Sequence, residues 1–190
     1  MWEWRIFYSE SQKPQWASCI QEMLYKTPME VRVDLYYNLH STEIGMKIRA
    51  YSEIYQLLEV KILQETKGYF ELWEKPINQT IELIEGESLF DNVVMSLKKS
   101  TQHVIQNNKI LEILYSGDFN VIQIIKHRRK TSINGISIES VMIEYQNKKL
   151  MGVQFECHSP PLLSQFMQES LAIPMKKYSN ISYPRLLMGM

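Results

Sequence analysis

Two short stretches, Gly45-Met46-Lys47-Ile48-Arg49-Ala50 and Leu58-Glu59-Val60-Lys61-Ile62, decide the fold. In both, apolar side chains alternate with charged ones, which is the period of a β-strand whose two faces meet different surroundings. The polar positions carry Lys, Arg and Glu rather than Ser, Thr or Asn. A sheet built from such strands has one apolar face and one face of mixed charge.

The same pattern recurs on both sides of these stretches and predicts about seven or eight strands in all. Short turns join them, and the spacing of about 10–15 residues between strand centres favours consecutive antiparallel hairpins. The predicted strands span 2–8, 30–39, 46–51, 58–62, 69–75, 119–130, 136–145 and 151–157. Charged or polar residues that share one strand face are Glu3/Arg5, Arg32/Asp34, Lys47/Arg49, Glu59/Lys61, Glu71/Lys75, Lys126/Arg128 and Gln154/Glu156.

Helical periodicity appears in three segments between and after the strands. Residues 11–26 place Trp16, Ile20, Met23 and Leu24 on one face, and residues 87–107 hold a rough period of 3.6. A short helix over 162–171 follows a Pro-Pro pair, and the tail over 174–190 is expected to be irregular. These helices are amphipathic, so each has one face to pack on a sheet.

Two arrangements satisfy the pattern of apolar and charged faces. An open sheet would turn its charged face to water, as ordinary antiparallel sheets do. A closed sheet would be covered by the helices on its apolar outside and would enclose a charged channel. The available helices, together with about seven or eight strands, favour an α+β domain over 1–190 with a closed or nearly closed antiparallel β-barrel, because that strand number closes around one ligand.

The balance of charge argues against a protein that binds duplex nucleic acid. Lys and Arg together number 21, and so do Asp and Glu. Domains that bind nucleic acid through its phosphates usually carry more basic than acidic residues. The basic run over 126–130 is explained by a strand end. The four His residues show no spacing typical of a zinc site.

Cysteine usage and hydropathy favour a cytoplasmic protein without membrane segments. Cys19 and Cys157 lie far apart in the sequence, so two free thiols in a reducing compartment are expected, with Cys157 buried. No segment approaches the roughly 20 apolar residues of a membrane span, and no signal peptide is visible. A homodimer is left open.

A channel of mixed charge suits a phosphate-bearing ligand. Lys and Arg from several strands can hold a polyphosphate through charge-assisted hydrogen bonds, and carboxylates beside them can hold Mg²⁺ or Mn²⁺. The predicted phosphate-binding residues are Arg5, Arg32, Lys47, Arg49, Lys61, Lys75, Lys126 and Arg128. The predicted metal ligands are Glu3, Glu59, Glu139 and Glu156, for which Asp34 and Glu71 are possible substitutes.

The order of the charged motifs resembles one known family. The motifs are EWR at 3–5, GMKIR at 45–49, LEVKI at 58–62, KHR at 126–128, ISIES at 136–140 and VQFEC at 153–157. Over the first 157 residues or so, this layout is similar to the CYTH family, or triphosphate tunnel metalloenzymes, which includes class IV adenylate cyclases and thiamine triphosphatases. The resemblance implies basic residues that hold a triphosphate and acidic residues that hold a divalent metal. The family's N-terminal ExExK is represented here by Glu3-Trp4-Arg5 alone.

Three functions remain open from the sequence. The first is a tunnel-type phosphohydrolase that acts on a triphosphate or organic polyphosphate with Mg²⁺ or Mn²⁺. The second is a non-catalytic barrel that binds such an anion, which the Arg at position 5 favours because one carboxylate of the family's metal set is missing. The third is a protein-interaction domain with a solvated sheet and no small ligand. Whether the protein is an enzyme is therefore left open.

Overall fold

The structure is a computed structural model that describes residues 1–50, 55–99 and 104–189. The predicted strand residue 51 and the predicted helical residues 100–103 lie outside this set. By contacts between Cα atoms the chain divides into two compact units. The first unit comprises Met1–Arg32, Leu63–Trp73 and Ile124–Ser182, and the second comprises Val33–Ile62, Glu74–Gln123 and Tyr183–Met190. The single domain expected from the sequence stays a prediction.

Eight strands form a closed barrel in the order β1-β5-β4-β3-β2-β6-β7-β8, which confirms the predicted antiparallel barrel. The strands are β1 (Trp2–Tyr8), β2 (Glu30–Asn38), β3 (Ile44–Ala50), β4 (Tyr55–Lys67), β5 (Phe70–Glu82), β6 (Asn120–Ile133), β7 (Ile136–Tyr145) and β8 (Lys148–Cys157). The β6–β7 hairpin turns at Asn134 and Gly135, whose φ angles are 51° and 77°. A two-residue hairpin of this kind needs positive φ at both positions, which Asn-Gly adopts readily.

Five α-helices accompany the strands in the described ranges. They are α1 (Gln15–Leu24), α2 (Leu89–Lys99), α3 (Val104–Ser116), α4 (Pro160–Gln165) and α5 (Tyr183–Met188). One-turn 3-10 segments lie at Glu10–Gln12 and Met175–Lys177, and a π-helical turn covers Phe166–Ser170. No helix in the described part of the chain is both long and apolar enough to span a bilayer.

The helices differ from the sequence prediction in two places. The predicted helix over 87–107 corresponds to α2 and α3, and α3 continues to Ser116. The tail, which was expected to be irregular, contains α5, so that prediction was wrong. The helix packs on its own unit: the Tyr183 ring stacks on Tyr36 with centroids 5.2 Å apart, and the Leu187 carbonyl accepts a hydrogen bond of 3.3 Å from Asn38. Such contacts between distant segments stabilise a helix too short to form alone.

The apolar core of the first unit lies between its strands and α1. Trp4 is fully buried, and its ring lies 5.9 Å from Trp16 of α1 and 6.0 Å from Phe155 of β8. Ile20 and Leu24 of α1 belong to the same cluster. Cys157 is a buried free thiol in this core, as predicted. The charged residues of these strands therefore occupy the opposite face.

The apolar core of the second unit likewise lies between its strands and its helices. Met46 and Ile48 of β3 pack with Leu58 and Val60 of β4 in one buried cluster, which also contains residues of α2 and α3, among them Val93, Leu97 and Ile110. Helices cover the apolar face in both units. We therefore call the charged face of each unit its inner face, because it is the face turned away from the helices.

Candidate functional site

Seven charged residues of the two inner faces are almost completely removed from solvent. They are Glu3, Arg5, Asp34, Glu59, Glu71, Lys126 and Glu139. Taking a charge out of water costs several kcal/mol unless partners compensate it. Burying charge in this way does not stabilise an apolar core, so these residues mark candidate functional residues on the inner face of each unit.

In the second unit, the charged side chains gather around Lys47. Its ammonium lies 2.9 Å from Glu59 Oε1 and 3.7 Å from Asp34 Oδ2. Arg49 Nε lies 3.3 Å from Asp34 Oδ1, and Lys75 Nζ lies 3.2 Å from Glu59 Oε2. The strand register sets these contacts, since Asp34 is opposite Arg49 and Lys47 is opposite Glu59. We call these five residues the Lys47 cluster.

The Lys47 cluster has an excess of positive charge. Its three cations, Lys47, Arg49 and Lys75, pair with two carboxylates, and Lys61, outside the cluster, also acts electrostatically on Glu59. Burial raises the pKa of Glu59, but the ammonium groups of Lys47, Lys75 and Lys61 and the hydrogen bond from Lys47 outweigh it and bring that pKa well below the ordinary carboxyl range. Glu59 is therefore ionised in the folded protein at neutral pH.

The lowered pKa of Glu59 predicts a specific dependence of stability on pH. A carboxyl group whose pKa is lower in the folded than in the unfolded state stabilises the fold above its unfolded pKa, near 4, and this contribution disappears as the pH falls further. We expect the free energy of unfolding to fall more steeply below about pH 4.5 in the wild type than in Glu59→Gln. Urea denaturation between pH 7 and pH 3 measures both slopes, and parallel curves would contradict the prediction.

In the first unit, the register brings inner-face residues of neighbouring strands into two rows. Glu3 of β1 is opposite both Glu71 of β5 and Glu156 of β8, and we call these three the carboxylate row. The adjacent row runs across four strands. It consists of Arg5, Gln154, Glu139 and Lys130.

Each member of the carboxylate row forms a hydrogen bond or an ion pair with another side chain of the protein. Arg5 Nη2 lies 3.3 Å from Glu3 Oε2, and Trp73 Nε1 donates to Glu71 Oε2 at 3.0 Å. Glu156 accepts from Lys130 at 3.4 Å and from the side-chain amide of Gln154. The side-chain oxygen of Gln154, Oε1, accepts hydrogen bonds from Arg5 Nε, at 2.8 Å, and from Arg5 Nη2. Gln154 therefore links Arg5 to Glu156.

Arg128 joins a second chain of ion pairs in the first unit. Its guanidinium lies 2.6 Å from Glu30 and 3.0 Å from Glu139, and Glu30 lies 3.7 Å from Arg32. Burial lowers the pKa of Arg128, but the bonds to Glu30 and Glu139 raise it by more, so its net pKa is raised. Arg128 is thus a permanent cation that spans two carboxylates.

Comparison with solved structures identifies other proteins that have this fold. The chain shares its fold with two solved proteins. One, from Bacillus halodurans, is provisionally assigned as an adenylate cyclase and matches with a TM-score of 0.61 at 14% identity, covering 98% of this chain and 95% of that one. The other, a conserved hypothetical protein from Pyrococcus furiosus, matches with a TM-score of 0.52 at 14% identity, covering 97% and 99%.

The remaining comparisons add no family. The S. pombe Pct1 RNA triphosphatase in complex with the Spt5 CTD matches with a TM-score of 0.33 at 10% identity over 92% of this chain and 70% of that one, a likeness too weak to establish a shared fold. No family model matches the sequence, and no curated protein matches it. At 14% identity the two closer likenesses show the fold alone.

The predicted metal ligands do not form a metal site in the part of the chain that the structure describes. Mg²⁺ and Mn²⁺ take several oxygen ligands around one point, and no group of three or more His, Cys, Asp or Glu side chains is so placed within the described ranges. Glu3, Glu139 and Glu156 lie in the first unit and Glu59 in the second. All four are ion-pair partners of Arg or Lys, so a bound Mg²⁺ or Mn²⁺ stays a prediction.

The predicted phosphate-binding residues fall into two sets, and their role stays a prediction. Lys47, Arg49, Lys61 and Lys75 lie in the second unit, and Arg5, Arg32, Lys126 and Arg128 in the first. Lys126 is only 1% exposed, an unusual degree of burial for an ammonium group.

Two residues of the inner faces, Lys130 and Gln154, were not predicted as site residues from the sequence. Lys130 was missed, although its position four residues after Lys126 on the same strand gives it the same face. Gln154 was placed on the charged face but given no role, because only the strand register shows that it lies opposite Arg5.

Proposed function

We propose that the inner face binds a triphosphate or an organic polyphosphate and that the protein acts on this ligand as a phosphohydrolase. The observation that carries the proposal is the Lys47 cluster, in which three cations pair with two buried carboxylates. Cations that outnumber the carboxylates beside them favour an anionic ligand, because phosphate oxygens accept charge-assisted hydrogen bonds from ammonium and guanidinium groups. The resemblance of the charged motifs to the triphosphate tunnel family supports the same ligand class.

The cluster also has side chains that can reach an incoming ligand. Lys75 is 46% exposed and Arg49 is 20% exposed at their side chains. Arg offers a planar fork that matches phosphate oxygens, and Lys offers a flexible point charge. A chain of phosphates suits this combination better than a single carboxylate, since it presents several oxygens to several donors.

A hydrolysis assay tests the proposal directly. Purified protein is incubated with tripolyphosphate, thiamine triphosphate and ATP, each with EDTA, Mg²⁺ or Mn²⁺, and phosphate release is measured. ATP is included because the Bacillus halodurans protein with this fold is provisionally assigned as an adenylate cyclase. We expect release from at least one substrate, with loss of that activity in Lys47→Met. The control is Lys149→Met, because Lys149 is 65% exposed and pairs with Glu144 rather than with an inner-face residue.

A second candidate, a non-catalytic barrel that binds the same ligands, is favoured by one specific observation. Arg5 stands where the related family has a carboxylate, and its guanidinium bonds to Glu3. Thermal stabilisation by tripolyphosphate in EDTA without phosphate release would support this candidate and remove the hydrolase. Absence of both release and stabilisation would remove both candidates and leave the protein-interaction domain.

A further inference from the structure

Arg5 is a buried cation that contacts the carboxylate row of Glu71, Glu3 and Glu156. Arg5 is 6% exposed, and its guanidinium bonds both to Glu3 and to Gln154. Gln154 in turn donates to Glu156. One buried positive charge is therefore connected to two of the three carboxylates, directly at Glu3 and through the Gln154 amide at Glu156.

The backbone of β1 fixes Arg5 in this position. The Arg5 N–H donates to Asn180 Oδ1, and the Ile181 N–H donates to the Arg5 carbonyl, both at 2.8 Å. Gln154 is itself 5% exposed. A side chain held at its backbone and at two nitrogen atoms cannot leave the row without breaking buried hydrogen bonds, which are expensive to leave unmade.

Three acidic side chains in direct register need a positive charge. Like charges directly opposite each other on neighbouring strands are destabilising, and their repulsion grows as solvent is excluded. A divalent cation could relieve it, but so can a guanidinium, which stays charged at every accessible pH and is not removed by a chelator. In this chain the Arg5 guanidinium already forms an ion pair with Glu3.

We propose that Arg5, held by Gln154, is a built-in counter-ion of the carboxylate row, so that this row does not bind a divalent cation in the wild-type protein. For the ligand the consequence, which rests on the proposed function, is that a polyphosphate binds in EDTA, without any divalent cation. Arg5 is on this view a positioning residue for Glu3 and Glu156 rather than a contact to phosphate.

Titration of Mn²⁺ into the full-length protein without polyphosphate, followed by the electron paramagnetic resonance signal of free Mn²⁺, tests the inference. We expect no uptake by the wild type at about 100 μM Mn²⁺, and uptake by Arg5→Gln with an affinity at least about tenfold higher. Arg5→Lys, which keeps the charge, should resemble the wild type. Lys149→Gln removes an exposed cation and should also resemble it.

Two results would overturn the inference. One is Mn²⁺ uptake by the wild type that Glu3→Gln abolishes, a measurement that does not require any Arg5 variant to fold. The other is a folded Arg5→Gln that takes up no more Mn²⁺ than the wild type. Because polyphosphate is absent from both titrations, failure of the proposed function in the hydrolysis and stabilisation assays leaves this test intact.

Discussion

Replacing Lys47 with methionine is expected to lower the free energy of unfolding by about 2–3 kcal/mol at pH 7, because two buried carboxylates each lose one of their charged partners. Lys47 bonds to Glu59 at 2.9 Å and lies 3.7 Å from Asp34, which is fully buried. Methionine has a similar length but no charge, so the packing changes little while both carboxylates lose a partner. Urea denaturation at pH 7 measures the effect.

Two further variants separate charge from packing at Lys47. Lys149→Met removes an exposed lysine whose ion pair with Glu144 is 3.0 Å long, and such pairs contribute about 0–1 kcal/mol. The double variant Lys47→Met/Glu59→Gln should be more stable than Lys47→Met alone, since it removes a buried carboxylate that has lost its shortest ion pair. A double variant less stable than Lys47→Met would show that packing, not charge, dominates.

Lys47→Met is also expected to weaken tripolyphosphate binding by about tenfold or more, because it removes a central cation of the Lys47 cluster. Isothermal titration calorimetry with Lys47→Met under conditions where the variant is fully folded measures this loss. Unchanged affinity would remove the Lys47 cluster from the ligand site even if the stability prediction holds. Stability and binding at this residue are thus tested separately.

The faces of the strands could be predicted from the sequence because the side-chain period of a strand is two. Lys47 and Arg49 share a face wherever β3 lies, and so do Lys126 and Arg128 on β6. The Asn134-Gly135 turn was predictable as well, because few residues adopt positive φ at both positions of a hairpin. Closure of the barrel was favoured over an open sheet by the count of strands and by the helices available to cover them.

The partners of each charged residue could not be predicted in the same way. Which strand lies beside β1, and in what register, depends on contacts between segments far apart in the sequence. Only the structure shows that Glu3 lies between Glu71 and Glu156. The sequence accordingly predicted four carboxylates as metal ligands, but it could not show that each of these four already pairs with an Arg or Lys of the chain.

The helix α5 shows a second limit. Its six residues include a proline at the second position and carry too little periodicity to predict a helix. The ring of Tyr183 on Tyr36 and the bond from Asn38 to Leu187 join segments almost 150 residues apart. Tertiary contacts of this kind override weak local preference, and sequence periodicity does not record them.

Replacing Arg128 with methionine is the second change from which we expect a large effect. Arg128 connects Glu30 and Glu139, and Glu139 is 8% exposed. Loss of the guanidinium should lower the free energy of unfolding by about 2–3 kcal/mol, since a buried carboxylate loses its charged partner. Tripolyphosphate affinity should fall by about tenfold or more if Arg128 also contacts the ligand, as the KHR motif predicts.

Arg128→Lys distinguishes the charge of Arg128 from its geometry. Lysine keeps the charge, but its single ammonium cannot span two carboxylates as the guanidinium fork does. We expect this variant to recover part of the stability lost in Arg128→Met and less of the affinity, measured by urea denaturation and by calorimetry. If Arg128→Met binds tripolyphosphate as tightly as the wild type, Arg128 serves the fold alone and the phosphate site lies with the Lys47 cluster.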